Sequence, residues 1–151
     1  MATKPNFHAD LAVGQAGERE LIALAAKHNV VLTQTDGRKG DLLDVDGNLW
    51  EVKSDGYDHD RTVNFFLEIM SDVDKGKLGG PAQALMNNCK YYAYFFVKNR
   101  IAYIFDTADL IEQMKRVNLG QQKQIRNVRW TTIGYATPRS LFKPLFVWKT
   151  K

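Results

Sequence analysis

Residues 40–53, reading Gly40-Asp41-Leu42-Leu43-Asp44-Val45-Asp46-Gly47-Asn48-Leu49-Trp50-Glu51-Val52-Lys53, constrain the fold of this chain more than any other stretch. Two short apolar runs, 42–45 and 49–52, flank Asp46-Gly47, a dipeptide that favours a tight hairpin turn. Side chains along a strand alternate between its two faces, so Trp50 and Val52 share one face and Glu51 and Lys53 the other. The first pair suits a core. The second leaves a carboxylate and an ammonium pointing together. Register decides which aspartate joins them. A three-residue turn over 46–48 pairs Val45 with Leu49, Leu43 with Glu51 and Asp41 with Lys53, and puts Asp41 on the charged face. A two-residue turn flips the parity and puts Asp44 there. Two carboxylates and an ammonium on one sheet face are costly as structure. They make sense around a hard divalent cation, which takes oxygen ligands.

Around the hairpin the chain alternates helical and β-type patterns. Residues 14–29 read as a helix, with Leu21, Ile22, Leu24 and Ala25 as its apolar stripe and Glu18, Arg19 and Lys27 as polar members. Residues 1–13 read as a loose arm or a short helix, 30–33 as a β-rich run, and 35–40 as a polar turn with two glycines. After the hairpin, 63–70 reads as a strand and 72–80 as a charged, glycine-containing loop. Pro81 opens a helix through Met86. Residues 91–97 and 101–105 form a second hairpin around Asn99. Thr107 is the expected N-cap of a helix through Lys115, with Leu110, Ile111 and Met114 inward. The remainder mixes short β-like runs with basic residues. The order α-β-β-β-α-β-β-α predicts an α/β (α+β) fold, one domain over 1–151, with a central mixed sheet flanked by helices.

Charge is distributed unevenly. Beyond Glu112 the chain holds nine basic residues and no acid, whereas the first 112 residues carry 12 basic and all 17 acidic residues, a net of −5. An acidic body with a basic last third (113–151) suits a protein that holds cations in one place and phosphates in another. No run approaches the roughly 18 consecutive apolar residues of a membrane span, so no membrane association is expected. The first residues lack the apolar core of a signal peptide. The single cysteine, Cys89, permits neither an internal disulfide nor a thiolate-based zinc cluster, and a cytoplasmic setting is expected.

Gly-Asp, nine residues, then Glu-Val-Lys resembles the signature of the PD-(D/E)XK nuclease superfamily, with Gly40 standing where that family has the proline of its name. Upstream, Gly17-Glu18-Arg19-Glu20-Leu21-Ile22 resembles the Glu-Arg-Glu-Leu helix of the archaeal Holliday-junction resolvases. The likeness covers roughly residues 14 to 55. The Phe66-Leu67-Glu68 strand, the Gly79-Gly80-Pro81 break and the Tyr91 hairpin are more loosely similar to phage-type nucleases. The resemblance implies a restriction-endonuclease-like core and metal-assisted hydrolysis of DNA phosphodiester bonds. Glu18, Asp41, Glu51 and Lys53 are its implied catalytic residues. Asp41, Glu51 and the Val52 carbonyl would hold Mg²⁺ (or Mn²⁺), with Glu18 completing the metal site, and no small-molecule cofactor is implied. Lys53 would orient the attacking water or stabilise charge on the phosphate. The junction-type likeness implies a homodimer acting on branched DNA, in the host cytoplasm if the chain is phage-encoded. The alternatives are a restriction-, homing- or repair-type nuclease on linear duplex, and a non-catalytic nucleic-acid-binding module.

Arg38, Lys39, Lys75, Lys77, Arg126 and Arg129 are the expected contacts to DNA phosphates. Asp58-His59-Asp60 reads as a polar loop rather than a metal site, and His8 and His28 as surface residues. Glu68 either edges the active site or faces solvent. The Tyr91–Phe96 run reads as core strand, with Tyr92 or Tyr94 as the members able to stack on bases.

Overall fold

A computed structural model describes residues 7–37, 40–126 and 130–150, with residues 7–13 described as helical backbone only. Along the chain lie α1 (Phe7–Lys27), β1 (Leu32–Gln34), β2 (Leu42–Asp44), β3 (Leu49–Asp55), β4 (Asn64–Asp72), β5 (Lys77–Leu78), α2 (Gly80–Met86), β6 (Cys89–Phe96) and β7 (Ile101–Asp106). Then follow α3 (Thr107–Arg116), β8 (Gln122–Arg126), β9 (Thr131–Pro138), a 3-10 turn over Arg139–Leu141, and β10 (Phe146–Lys149). The fold is α+β. A mixed six-stranded sheet, ordered β1-β2-β3-β6-β7-β10, is flanked by helices, and a four-stranded antiparallel sheet, ordered β5-β4-β9-β8, stands beside it. All pairings in the larger sheet are antiparallel except β3 with β6. No described helix is long and apolar enough to cross a membrane.

The strand β6 explains the layering. From Tyr91 to Phe96 its residues are apolar or aromatic on both faces, as a strand covered on both sides must be. Ala93 and Phe95 join Trp50, Ile104 and Trp148 in one cluster, closed by Leu21, Leu24 and Ala25 of α1. Tyr92, Tyr94 and Phe96 point the other way, against Phe65 and Leu67 of β4, Ala84 of α2 and Leu110 of α3. The i, i+3, i+4 stripe expected of the first helix is the face that packs, although α1 begins at Phe7 rather than at residue 14.

Three expectations need correction. Leu42 pairs with Trp50 and Leu43 with Leu49, two residues out of the expected register. Asp44 closes the turn, with its N–H donating to Asn48 C=O at 3.1 Å, and Gly47 sits at φ 83°, a left-handed turn position that glycine adopts without strain. The slip of two keeps the parity, so Asp41 stays on the Glu51 face. Second, Asp106 rather than Thr107 caps α3, its Oδ1 accepting from the Asp109 N–H at 3.0 Å. Third, Tyr92 and Tyr94 are buried in the second cluster and have no free face for bases.

Gly17 sets how closely α1 approaches the sheet. A Cβ there would overlap the Ser54 hydroxyl and stand 3.2 Å from the Ser54 Cβ and 3.6 Å from a Val97 methyl. One turn earlier, nothing lies within 4 Å of a Cβ built on Gly14. Gly17→Val is expected to lower stability by about 1–3 kcal/mol through overpacking. Gly14→Ala is expected to raise it by up to about 1 kcal/mol through helix propensity. Urea denaturation midpoints at unchanged m-value check both.

Candidate metal centre

The site begins where the hairpin ladder stops. The Asp41 N–H donates to Trp50 C=O at 2.9 Å, one residue before the first β2–β3 pair, Leu42 with Trp50, and so ties Asp41 to β3 beside Glu51. The chain then leaves through Gly40, and the next inward N–H of β3, that of Val52, has no ladder carbonyl. The Asp41 side chain supplies the acceptor, Oδ2 at 2.8 Å from the Val52 nitrogen. A hydrogen bond to a charged acceptor of this kind contributes about 1.5–3 kcal/mol. A residue's N–H and C=O project to the same edge of a strand, so the Val52 carbonyl leaves β3 beside Asp41. Gly40 is needed here, since a Cβ would stand 3.1 Å from Cys89 Sγ and 3.3 Å from Leu49 Cβ.

Two more acids reach Asp41. Glu18 comes from α1 and Glu51 from β3, and both hydrogen-bond to the Asp41 carboxylate, with Gln34 of β1 a further partner of Glu18. Burial, then the Asp41 charge, then the shared hydrogen bond push Glu51 up to about 8 and Glu18 up to about 7. Burial also raises Asp41, while the Val52 N–H and the hydrogen bonds from Glu18 and Glu51 act the other way. Cys89 Sγ lies 3.9 Å from Glu51 Oε2, and burial with the neighbouring acids pushes the thiol up to about 12, leaving it protonated.

The donor chemistry suits a hard cation: three carboxylates and a backbone carbonyl, all oxygen. As they stand, the acids turn towards one another, and among the described residues no three His, Cys, Asp or Glu side chains are spaced around one point to hold an ion. Three mutually repelling carboxyls held this close gain most from a divalent charge.

Asp44, the other candidate aspartate, is used elsewhere. Its Oδ1 accepts from the N–H groups of Asp46 and Asn48 at 3.0 and 2.9 Å, and its Oδ2 from the Trp50 indole at 3.0 Å. Although burial works to raise it, these bonds hold its carboxyl below the usual range. Lys53 lies two residues beyond Glu51 on the same face. Its ammonium is 5.9 Å from the centre of the Phe66 ring. Burial raises the carboxyl of Glu68 on β4, and Lys53 and Lys77 oppose that rise. Glu68 thus edges the site and is half-buried, rather than facing solvent.

Of the expected phosphate contacts, Lys75 lies exposed at the β4–β5 turn, Lys77 on β5 near Glu68, and Arg126 exposed at the end of β8. Arg38, Lys39 and Arg129 lie outside the described residues, as does the side chain of His8. His28 is exposed and stacks on Trp148 with ring centres 5.7 Å apart. The Asp58-His59-Asp60 segment is a hydrogen-bonded turn, with His59 Nε2 2.6 Å from the Tyr103 hydroxyl. Sequence reasoning missed Gln34 and Gly17. A glycine inside a helix is a mismatch with propensity that flags close packing.

The pKa directions give the protein a pH-dependent stability. The folded-state values of Glu18 and Glu51, about 7 and 8, lie above the ordinary 4.5. The folded protein therefore keeps protons that the unfolded chain has released. Their contribution is complete below about pH 4.5 and is lost as pH rises through 7 to 8. In EDTA the melting temperature is expected to fall between pH 5 and pH 9, and Glu51→Gln to flatten that fall. Millimolar Mg²⁺ is expected to raise the melting temperature more at pH 8 than at pH 5. Thermal melts of both proteins across that range check this.

No protein-family model, curated protein or solved structure matches this chain.

Proposed function

We propose that this protein is a metal-dependent nuclease that hydrolyses DNA phosphodiester bonds on a restriction-endonuclease-like core. The observation that carries the reading is the meeting of three acids from three separate elements, Glu18 of α1, Asp41 beside β2 and Glu51 of β3, with Lys53 next along the same strand face. A structural role accounts poorly for three partly buried carboxyls in mutual contact, because each raises the energy of its neighbours' charged forms.

Asp41, Glu51 and the Val52 carbonyl would hold Mg²⁺ or Mn²⁺, with Glu18 as the further oxygen donor. The bound ion would supply a Lewis acid for the scissile phosphate and lower the pKa of its water. The bond from the Val52 N–H fixes the Asp41 carboxylate, so its orientation does not have to be found during each turnover. The Lys53 ammonium would orient the attacking water or offset charge on the phosphate. Glu68 would act as a positioning residue that keeps this ammonium at the edge of the site. Lys75, Lys77 and Arg126 would contact the flanking phosphates. The likeness of the Gly17–Ile22 helix to junction resolvases favours branched DNA cut by a homodimer.

The test is cleavage of a labelled four-way junction and a matched linear duplex, in Mg²⁺ and in EDTA. Cutting is expected in Mg²⁺ alone. Glu51→Ala is expected to lower the rate by at least on the order of a hundredfold, since losing even an indirect metal partner costs 10–100-fold. Lys53→Ala is expected to lower the rate while the Mg²⁺-induced rise in melting temperature persists. Cutting that survives EDTA or Glu51→Ala would reject the assignment. Binding without cutting would leave a nucleic-acid-binding module.

A further inference from the structure

A cleft of about 850 Å³ opens beside Lys53, between the end of β3 and the four-stranded sheet. Its floor follows from strand alternation. Phe65 and Leu67 of β4 point into the core, so Asn64, Phe66 and Glu68 point into the cleft. Pairing continues this face across the sheet: Phe66 lies opposite Ala136 and Glu68 opposite Gly134, while Lys123 lies opposite Gly134 on the far side. Gly134 makes room for the Phe66 ring, since a Cβ there would stand 2.5 Å from Phe66 Cζ. Trp130 closes one wall. Tyr57, 75% exposed, stands on the opposite rim. Its backbone N–H is tied to Asp55 Oδ1 at 2.8 Å, and the other Asp55 oxygen accepts from the buried Tyr94 hydroxyl.

We infer that this cleft receives an unpaired nucleotide next to the scissile phosphate, so that the substrate of the proposed nuclease carries single-stranded bases at the cut. The inference rests on the nuclease reading for the identity of the polymer. Three observations carry it. The lining joins aromatic faces to lysines at two places, Lys53 and Lys123, which is the chemistry that holds single strands: rings stack on bases and ammonium groups follow the backbone. Asn64 and Thr62 add polar atoms able to meet base edges. The size suits a single nucleotide: a cube of 850 Å³ is about 9.5 Å on a side. That volume also lies within the roughly 300–1,000 Å³ of pockets that enclose compact ligands. Lys53 lines the cleft and lies two residues beyond Glu51 on the same face of β3, so a base seated over Phe66 brings its own phosphate towards Glu51.

Tryptophan fluorescence tests this without any catalytic step. Trp50 and Trp148 are each only 4% exposed in the core, which leaves Trp130 as the tryptophan at the cleft. In EDTA, a short oligothymidylate single strand is expected to quench the emission, and the matching duplex to do so far less. Trp130→Phe should remove the quench. Tyr57→Ala should weaken single-strand binding, followed by anisotropy of a labelled oligonucleotide, by roughly tenfold. Equal or tighter binding of the duplex, or no quench by the single strand, or unchanged affinity in Tyr57→Ala overturns the inference. Cleavage separates the two readings. A protein that cuts duplex in Mg²⁺ but shows no quench keeps the nuclease assignment and loses this one. A protein that shows the quench but cuts nothing keeps the cleft and loses the nuclease.

Discussion

The open edge of β3 is the constraint on which the rest of this molecule depends. On one side β3 is paired with β6 from end to end, a parallel ladder seven residues long counted on β3. On the other, β2 covers only its beginning, and from Val52 onward the strand has lost its antiparallel neighbour. Unsatisfied strand edges are unfavourable when partly buried. Here a carboxylate from the departing chain fills the gap, and a helix fits beside it because Gly17 lacks a side chain. The remaining acids gather around that first one. The acid cluster is thus a by-product of how a truncated ladder is completed, rather than an addition to a finished sheet.

Such an arrangement trades stability for chemistry. Carboxyls pressed together share protons or repel, and burial amplifies either effect because the surrounding dielectric is low. Natural folds hold such centres by over-determining them with packing. Around this one lie the tryptophan–tyrosine contact of Trp50 with Tyr91, 4.6 Å between ring centres, and the aromatic cluster centred on Phe65. The link from Asp55 through Tyr94 to the Phe66 N–H, the last bond 2.8 Å long, binds the end of β3 to the second sheet. The strand that carries Glu51 is thereby joined to the strand that floors the cleft.

Much of the centre was legible in the sequence because period-two alternation survives errors in register. The hairpin was expected two residues out of place, yet Asp41 remained with Glu51, since a shift by an even number keeps every side chain on its face. Excluding Asp44 required more. Its role depends on three hydrogen bonds within a turn, and nothing in the spacing reports those. Glu18 was legible only through the resemblance of its helix, because a contact between a helix and a strand edge leaves no periodic trace. The strands after α3 were read poorly for a definite reason. Residues 122–126 are all exposed, so β8 has no buried face to pattern its sequence. The core reading of the Tyr91–Phe96 run holds for Tyr92 and Tyr94, and the coverage of their strand on both sides excludes the alternative that they stack on bases.

The basic last third of the chain is not a tail. Its strands β8 and β9 complete the smaller sheet, and β10 forms the outer edge of the larger one. Charge that is segregated along the sequence is therefore interleaved in space, with Lys123 across a single strand from Glu68. No cut in the polypeptide would separate the acidic side chains from the basic ones. Removing the basic third would strip an edge from both sheets at once, so the acid cluster and the basic strands stand or fall together as one indivisible unit.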